Sequence, residues 1–376
     1  MNNLPKLIII GSVPPPYHGV TIYTEQLLLS NLNESLQIMH IDTSDHRGSD
    51  NYNKLDYQNV KIALKNVLLL IIALFRFKPD IIYCAPSPYR LPFLRESSFI
   101  LLAKVFSKAK IIAHMHAGKF FKENFFKNSN LIMKSIIKNS LGMCDCGIVL
   151  GNNLLRYYES FFKNTVFLWN GINIEKKESF KLNKPKKGKL TIGYLSNLCE
   201  NKGIITFMKT INNIPSEIMD KVKIVIAGDW LGGEDKTKNI FYELIDKNKF
   251  SNNISIIGGI YSFEQKRKFY LDLDIFVFPT QMEAFGLVNL EAMYFGCAVI
   301  STYEGAIPEV VINGETGYLV NKNDSVDLSN KLLKLIKSPQ TIIDFAKAGR
   351  RRVLDNFMLK QNIDGLKNIF DNVLKN

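Results

Sequence analysis

Cysteine, histidine and tryptophan are scarce in this chain. Its 376 residues include five cysteines, five histidines and two tryptophans. The cysteines are scattered and odd in number, which excludes a disulfide framework, and their spacing does not match a zinc site. We therefore expect a protein of the reducing cytoplasm in which Cys144 and Cys146 are buried thiols.

Long hydrophobic runs are also missing. The apolar run at residues 7–10 is shorter than the apolar region of a signal peptide, so no export signal is expected. The best candidate for a membrane segment is VLLLIIALF at residues 67–75, which is too short to cross ~30 Å of hydrocarbon. It continues a helical pattern that begins near Val60. Two interpretations stay open, a core helix and a helix that lies on a membrane surface.

Two common phosphate-binding motifs are absent. The first predicted strand is followed by GSVPPPYHGV at residues 11–20, where a dinucleotide oxidoreductase would have G-x-G-x-x-G. The three prolines have no N–H to offer a phosphate, which disfavours a Rossmann dehydrogenase. No G-x-x-x-x-G-K-[ST] occurs, which excludes P-loop chemistry. Taken alone, the loop fits a rigid turn as well as it fits an anion site at a helix N-terminus.

Acidic residues are outnumbered by basic ones. The chain has 48 Lys and Arg against 35 Asp and Glu, a net charge of +13. That surplus suits nucleic acid, anionic lipid or a phosphorylated substrate. Because the lysines are dispersed and no nucleic-acid recognition motif is present, we expect no nucleic-acid partner.

Short apolar runs alternate with longer amphipathic stretches along the chain. This alternation predicts an α/β fold with mostly parallel sheets. A lysine-rich segment at 175–189 separates two such series and is the predicted linker. The predicted strands lie at 7–10, 36–41, 80–83, 110–114, 147–150 and 166–169, and then at 190–195, 223–228, 254–259, 274–279, 298–302 and 317–320.

The predicted domains follow from this division. Residues 1–174 would form an N-terminal Rossmann-like domain and residues 190–355 a C-terminal Rossmann-like domain. Residues 356–376 would be a C-terminal helix that packs back on the first domain. Ligands of such sheets bind beyond the carboxyl ends of the strands, so we expect the site in a cleft.

Two histidines follow one of the predicted strands. His114 and His116 lie in IIAHMHAGKFF, and the single residue between them puts both on one face of an extended chain. No further metal-binding side chain follows at ligand-like spacing, so no metal site is predicted. A structural role and a hydrogen-bonding or acid–base role are supported equally.

Charged residues follow two strands of the second half. Lys202 precedes a predicted helix, where it either meets a phosphate or is a solvated loop lysine. Glu283 lies in a loop and can reach ligand hydroxyls, and Gly286 begins the helix that contains Glu291. The carboxylate of Glu291 can accept two hydroxyls of a ribose, and within an apolar helix it needs a partner.

Glu283 and Glu291 resemble the E-x7-E motif of the retaining nucleotide-sugar glycosyltransferases with the GT-B fold, glycosyltransferase family 4. Five further stretches resemble the same family in the same order, and all of them fall within positions 11 to 320: PPPYHG, AHMHAG, LWNGIN, GYLSNLCENKG and GAIPEVVINGETGYLV. The resemblance implies a GT-B fold, in which two Rossmann-like doubly wound domains face each other across a cleft and helices end the chain.

The resemblance also implies that the domain at residues 1–174 binds the acceptor and that the domain at residues 190–355 binds the nucleotide sugar, and it implies roles for individual residues. Glu283 would contact the donor sugar, Glu291 the ribose and Lys202 the diphosphate. The predicted catalytic residues are Glu283, His116 and Lys202; the predicted donor-binding residues are Gly19, Asn197, Lys202, Glu283, Phe285, Gly286, Leu287, Val288 and Glu291; the acceptor-side residues are His114 and His116.

Two positions depart from the family pattern. Asn197 stands where the family usually has an arginine, which removes one countercharge of the diphosphate. His18 precedes Gly19 where two glycines are usual. These departures keep a second hypothesis open, a non-catalytic GT-B nucleotide-binding module that partners another transferase.

The family implies a metal-independent, retaining transferase without a cofactor. Its donor would be a nucleotide diphosphate sugar, with a UDP-sugar favoured over a GDP-sugar. Asp272 and Asp274 match the D-x-D motif of metal-dependent transferases, but they lead directly into a strand and are interpreted as its entry. The positive charge suits a saccharide or polyprenyl-diphosphate-linked acceptor of bacterial surface polysaccharide synthesis at an anionic membrane. We therefore expect a cytoplasmic protein that lies peripherally on the inner face of the membrane.

Overall fold

The computed structural model describes residues 4–15, 18–47, 55–174, 188–246 and 251–375. The chain divides into two compact units, one formed by Met1–Trp169 with Leu359–Asn376 and the other by Asn170–Met358. The predicted linker at 175–189 lies outside the described residues apart from Gly188 and Lys189.

Twelve strands are described, and each overlaps one of the predicted positions. The α/β fold class is therefore confirmed. In chain order they are β1 (Lys6–Gly11), β2 (Gln37–Asp42), β3 (Ile81–Cys84), β4 (Lys110–Met115), β5 (Cys146–Val149), β6 (Thr165–Phe167), β7 (Leu190–Leu195), β8 (Val222–Ala227), β9 (Ile254–Ile256), β10 (Ile275–Phe278), β11 (Ala298–Thr302) and β12 (Gly317–Val320).

Fourteen α-helices are described between and after these strands. In chain order they are α1 (Gly19–Leu29), α2 (Tyr57–Arg76), α3 (Arg90–Phe106), α4 (Leu131–Gly142), α5 (Leu155–Tyr158), α6 (Ile204–Asn212), α7 (Ser216–Met219), α8 (Asp235–Asp246), α9 (Phe263–Asp272), α10 (Leu287–Tyr294), α11 (Ile307–Val310), α12 (Ser325–Ile336), α13 (Pro339–Asn356) and α14 (Leu359–Lys375).

The first unit contains a parallel sheet in the order β2-β1-β3-β4-β5-β6. Alternate residues of β1 point to opposite faces of this sheet. Leu7 and Ile9 pack with α1 and with α14, whose Leu366 and Phe370 belong to the same core cluster. The remaining long helices pack in succession, α2 against α3 and α3 against α4.

The second unit contains a parallel sheet in the order β12-β11-β10-β7-β8-β9. Strands β7 and β10 are neighbours in the middle of the sheet. From β7 the next strands are added on one side, toward β8 and β9, and from β10 they are added on the other side, toward β11 and β12. The boundary between β7 and β10 is thus the point at which the strand order reverses. Open α/β sheets bind ligands at such a point, beyond the carboxyl ends of the strands.

Helix α2 contains the apolar segment at 67–75 and begins close to the predicted start near Val60. Asp56 caps a helix of 20 residues that runs on to Arg76, and an 18-residue stretch of this helix has a mean hydropathy of 1.6. At about 1.5 Å per residue this helix is long enough to cross a membrane, which the nine-residue run is not. Among the described residues it is the one helix that meets this test by length and composition.

Two other boundaries differ from the predicted ones. The sequence pattern at residues 19–32 predicts one helix, but α1 ends at Leu29, because Ser30 is extended and caps a short 3-10 turn at Asn31–Glu34. The strand expected at 254–259 ends at Ile256, before the pair of glycines at 258 and 259. All five cysteines are free and buried, as expected for Cys144 and Cys146.

Candidate functional site

Two loops of the second unit lie side by side where the strand order reverses. The loop after β10 is hydrogen-bonded to the loop after β7 through one carbonyl, that of Asn201. This oxygen accepts from the backbone N–H of Gln281 at 2.9 Å and of Met282 at 3.2 Å, and from the hydroxyl of Thr280 at 3.1 Å. The strand order therefore explains why residues far apart in the sequence meet here.

Gly203 allows this close approach. It adopts a left-handed conformation with φ of 78° at the start of α6. A Cβ atom at this position would collide with the carbonyl group of Pro279 at the end of β10. Only glycine satisfies both conditions without strain.

Lys202 and Glu283 form an ion pair at this junction. Lys202 Nζ lies 2.8 Å from Glu283 Oε2, and Glu283 Oε1 accepts from the N–H of Ala284 at 3.0 Å. Burial opposes the ionised form of Glu283, but the ammonium of Lys202 and the nearby backbone N–H groups outweigh it and lower the pKa of this carboxyl. The pKa of Lys202 is raised in turn, because Glu283 outweighs the effect of burial.

Helix α10 begins beside this pair with an uncapped N-terminus. Its N-cap residue, Gly286, has φ of 84° and no side chain with which to accept from the first-turn N–H groups. Phe285 is buried, whereas Leu287 and Val288 are half-buried. Free N–H groups and the positive end of the helix dipole favour an anion at this place.

Glu291 has two partners that the sequence did not reveal. Its Oε1 lies 2.8 Å from Lys266 Nζ, and its Oε2 accepts from the hydroxyl of Tyr270 at 2.8 Å. Lys266 and Tyr270 are four residues apart on α9 and therefore share one face of that helix. This spacing is the one sequence signal for the two partners. It does not identify Glu291 as the residue that they contact, because that contact depends on the packing of α9 beside α10.

Tyr270 is a fixed hydrogen-bond donor. It is fully buried, and its ring stacks on Phe295 at 5.8 Å between centroids. Burial and the neighbouring carboxylate of Glu291 raise the pKa of Tyr270 well above its usual value, so the hydroxyl stays protonated. Each carboxylate oxygen has two lone-pair directions, so Glu291 can still accept from a ligand hydroxyl.

The other sequence-predicted residues of the second unit have different surroundings. The side chain of Asn197 is exposed, and its backbone carbonyl accepts from the N–H of Cys199 at 3.1 Å. Asp274, the second carboxylate of the D-x-D match, is buried and accepts from the N–H of Thr191 at 2.8 Å. Asp274 thus joins β10 to β7, which agrees with its interpretation as a strand entry.

The first unit contains a cavity of about 600 Å³. It lies beyond β1 and β3, between which the strand order of this sheet also reverses. Its walls are mostly apolar, and its charged lining residues are Asp45, Arg95 and Glu96.

His116 lines this cavity. Its Nε2 atom is buried and has no hydrogen-bond partner among the residues that the structure describes. Burial and the neighbouring His18 lower the pKa of His116 to about 3, so its ring is neutral at physiological pH. A neutral imidazole can donate a hydrogen bond to a ligand or accept one from it, but it provides no positive charge.

His114 lies in the interior and does not line the cavity. Its Nδ1 atom is 2.7 Å from the hydroxyl of Tyr83, and its ring centroid is 4.1 Å from that of His116. Burial lowers the pKa of His114 well below its usual value. The two rings therefore lie side by side, as their spacing predicts, but only His116 lines the cavity, because His114 is completely buried.

Gly19 is the first residue of α1, directly after the capping residue His18. A Cβ atom at Gly19 would meet no described atom within 4 Å, so its own unit does not require glycine there. In the described parts of the chain, no group of three or more His, Cys, Asp or Glu side chains is placed to hold a metal ion.

Comparison with known proteins gives one family match. Residues 175–352 match the family described as Glycosyl transferases group 1. The capsular polysaccharide biosynthesis glycosyltransferase CapM of Staphylococcus aureus is 29% identical over 212 residues, which are 55% of this chain and 54% of that protein.

A second relative comes from Campylobacter jejuni. It is described as a GalNAc-alpha-(1->4)-GalNAc-alpha-(1->3)-diNAcBac-PP-undecaprenol alpha-1,4-N-acetyl-D-galactosaminyltransferase. It is 25% identical over 234 residues, which are 62% of this chain and 60% of that protein. The chain thus matches little more than half the length of both relatives.

A solved structure shows the fold. Anabaena HepE in complex with UDP superposes with a TM-score of 0.75 at 15% identity, covering 98% of this chain and 100% of that one. The likeness confirms the two-domain α/β GT-B fold predicted from the sequence.

Proposed function

Because residues 175–352 match the family described as Glycosyl transferases group 1, we propose that this chain is an enzyme that transfers a sugar from a nucleotide diphosphate sugar to an acceptor. The observation that supports this most is the junction of Lys202, Glu283 and the N-terminus of α10. It places a cation, uncapped N–H groups and a carboxylate together where α/β sheets bind ligands.

The donor is bound by the second unit in this proposal. Lys202 and the first-turn N–H groups of α10 receive the diphosphate, and they stabilise the negative charge that builds on it as the sugar leaves. These positive groups take the place of a metal ion. Glu283 accepts hydroxyls of the donor sugar, and Glu291 accepts those of the ribose. We propose UDP as the nucleotide, since HepE shares the fold and was solved with UDP.

The configuration of the sugar is retained in the proposed reaction. The acceptor oxygen bonds to the anomeric carbon on the face that the diphosphate leaves, and the departing phosphate takes the acceptor proton. This route requires no enzymatic nucleophile. His116, as a neutral ring, hydrogen-bonds the acceptor.

We propose a lipid-linked saccharide as acceptor, used in surface polysaccharide or glycolipid synthesis. The Campylobacter jejuni relative is described as acting on an undecaprenol-linked saccharide, and the net charge of +13 suits an anionic membrane. The apolar cavity of the first unit is a suitable place for part of such a molecule. The enzyme would then lie on the cytoplasmic face of the membrane.

A non-catalytic nucleotide-binding module is the second candidate. Asn197 favours it, since an exposed amide stands where the family pattern has an arginine. Hydrolysis of the donor in the absence of acceptor separates the two functions. We expect wild-type protein to hydrolyse a UDP-sugar slowly. The hydrolysis rate of Glu283→Gln should be at least tenfold lower, and the rate of the control Glu264→Gln, at an exposed position, should equal that of wild type. Equal rates in wild type and Glu283→Gln, at equal nucleotide binding, would establish the module.

A further inference from the structure

Helix α2 presents an apolar row to solvent. Val60, Leu64, Leu68, Ile72 and Phe75 are 42%, 65%, 59%, 41% and 57% exposed. Their spacing of three or four residues puts them on one side of the helix, over about 22 Å of its length. The opposite side packs into the first unit through Asn66, Leu70, Ala73 and Leu74.

The row continues onto the neighbouring helix. Phe75 and Phe106 lie 6.0 Å apart between ring centroids, at the ends of α2 and α3. On α3, Leu101, Val105 and Phe106 are 49%, 63% and 47% exposed. Single exposed apolar side chains are common on soluble proteins, but a continuous group of this kind marks an interaction surface.

Helix α14 of the same unit provides a contrast. It buries Ile363, Leu366, Phe370 and Val373 on one side, as α2 buries its own inner side. Its exposed positions include Lys360, Asp364 and Asp371, all charged. The unit therefore contains an ordinary amphipathic helix on one face of its sheet, and the apolar outer side of α2 is not a general feature of its helices.

The exposed charged side chains on α2 and α3 themselves are positive, and the acidic groups beside these helices are paired, Asp56 with Arg47 and Asp145 with Lys104. Lys61, Lys65 and Arg76 of α2 are exposed, and α2 contains no Asp or Glu. Helix α3 adds exposed Lys104, while its one acidic residue, Glu96, is buried. Apolar side chains flanked by exposed cations fit an anionic bilayer, in which lysine ammonium groups remain at the lipid headgroups.

The apolar row also reaches the cavity of the first unit. Val60 belongs to both the row and the cavity lining, and Leu55 and Ala63 line the cavity beside it. The apolar row therefore adjoins the lining of the cavity at Val60.

We propose that the outer side of α2, with the adjoining end of α3, lies in the surface of an anionic lipid bilayer and presents the cavity to membrane-borne ligands. Helix α2 lies in the plane of the interface and does not cross the bilayer, because its inner side is part of the core of the unit. The proposal deepens the proposed function at one point, since it assigns the surface through which a lipid-linked acceptor arrives.

Co-flotation of the full chain with vesicles tests the proposal. We expect binding to vesicles of phosphatidylglycerol and phosphatidylcholine and much weaker binding to phosphatidylcholine alone. Leu64→Gln/Leu68→Gln should weaken binding roughly tenfold, since it removes apolar surface from the bilayer. Lys61→Gln/Lys65→Gln should weaken binding to the anionic vesicles by a similar factor and lessen the effect of salt.

The matched control is Leu29→Gln/Val326→Gln, which replaces side chains that are 81% and 64% exposed elsewhere in the chain. It should bind as wild type does. Unchanged melting temperatures would show that all variants fold, as expected for exposed positions. Failure of wild type to float, or equal binding by wild type and Leu64→Gln/Leu68→Gln, would overturn the proposal.

Two further outcomes would also overturn it. Resistance to extraction at alkaline pH would show a helix that spans the bilayer. Self-association without vesicles that Leu64→Gln/Leu68→Gln abolishes would show an interface with a second copy. The proposed function is tested separately, because UDP binding depends on the second unit and should be unchanged in Leu64→Gln/Leu68→Gln.

Discussion

Lys202 Nζ lies 2.8 Å from Glu283 Oε2, although the two residues are 81 positions apart in the chain. Each follows the end of a strand, and these strands are neighbours in the second sheet. The fold thus brings a cation and a carboxylate to one point without any local sequence motif that joins them.

The first prediction concerns the energy of this pair. Its side chains are 28% and 18% exposed, so Lys202→Met leaves a partly buried carboxylate without a cation and should cost about 2 kcal/mol of unfolding free energy. Lys202→Met/Glu283→Gln should recover much of that loss, because no charge remains uncompensated. Urea denaturation at pH 7 of wild type, both single variants and the double variant measures the coupling.

An exposed pair is the control for this measurement. Arg351 and Asp355 lie 3.5 Å apart with side chains 85% and 59% exposed, and their coupling in the same cycle should be close to zero. Equal coupling energies for the two pairs would contradict the claim that the partly buried pair of Lys202 and Glu283 stabilises the fold more than an exposed pair does. The pKa of Glu283 lies below 4.5 and that of Lys202 above 10.5, so the coupling should persist across neutral pH and fall in acid and in strong base.

The second prediction concerns the partners of Glu291. Tyr270→Phe keeps the stacked ring and removes the hydroxyl that holds Glu291 Oε2. The carboxylate is then less well oriented, and the dissociation constant of UDP should rise roughly fivefold, equivalent to about 1 kcal/mol. Lys266→Met should act in the same direction. Titration calorimetry with UDP measures both, and Tyr57→Phe at an exposed position should leave the affinity unchanged.

The third prediction is a pH dependence in the first unit. Glu96 is buried, and burial raises its pKa from 4.5 to about 7 despite the opposing effects of Arg95 and the N–H of Ser87. A raised carboxyl pKa means that the folded state binds the proton more tightly than the unfolded state. Protonated Glu96 therefore contributes to the free energy of unfolding. This contribution is fully present below pH 4.5 and is lost as the pH rises through about 7, a loss of roughly 3 kcal/mol.

Thermal or urea unfolding between pH 4.5 and pH 8 checks this sign. Glu96→Gln should remove the decrease, since the amide cannot ionise and can still accept from Ser87. Glu264→Gln, at an exposed carboxyl, should keep it. If the free energy of unfolding rose over this pH range, and rose by a similar amount in wild type and in both variants, Glu96 would not be responsible.

The sequence predicted the strands and the residues at their ends. Parallel strands that are buried on both faces leave apolar runs that are easy to recognise, as in β1 and β11. Lys202 and Glu283 were found because they follow such runs close to the start of a helix and match the family stretches GYLSNLCENKG and E-x7-E. Their direct contact was not predicted, because it depends on the order β10-β7, which no local pattern encodes.

Contacts between helices could not be predicted from the sequence either. Lys266 and Tyr270 look like ordinary residues of an amphipathic helix until α9 is seen beside Glu291. His114 and His116 share a face of an extended chain, but the interior surrounds only the first completely. Helix α2 begins at Tyr57, three residues before the predicted start near Val60, because Asp56 caps it there.

The most direct test of the central claim is a thermal-shift titration with UDP on wild type and Glu291→Ala. A ligand that binds only the folded state raises the melting temperature in proportion to the logarithm of its concentration. The account predicts a rise with UDP in wild type that is absent, or requires at least tenfold more UDP, in Glu291→Ala. An equal rise in both proteins, or no rise in wild type at millimolar UDP, would contradict it.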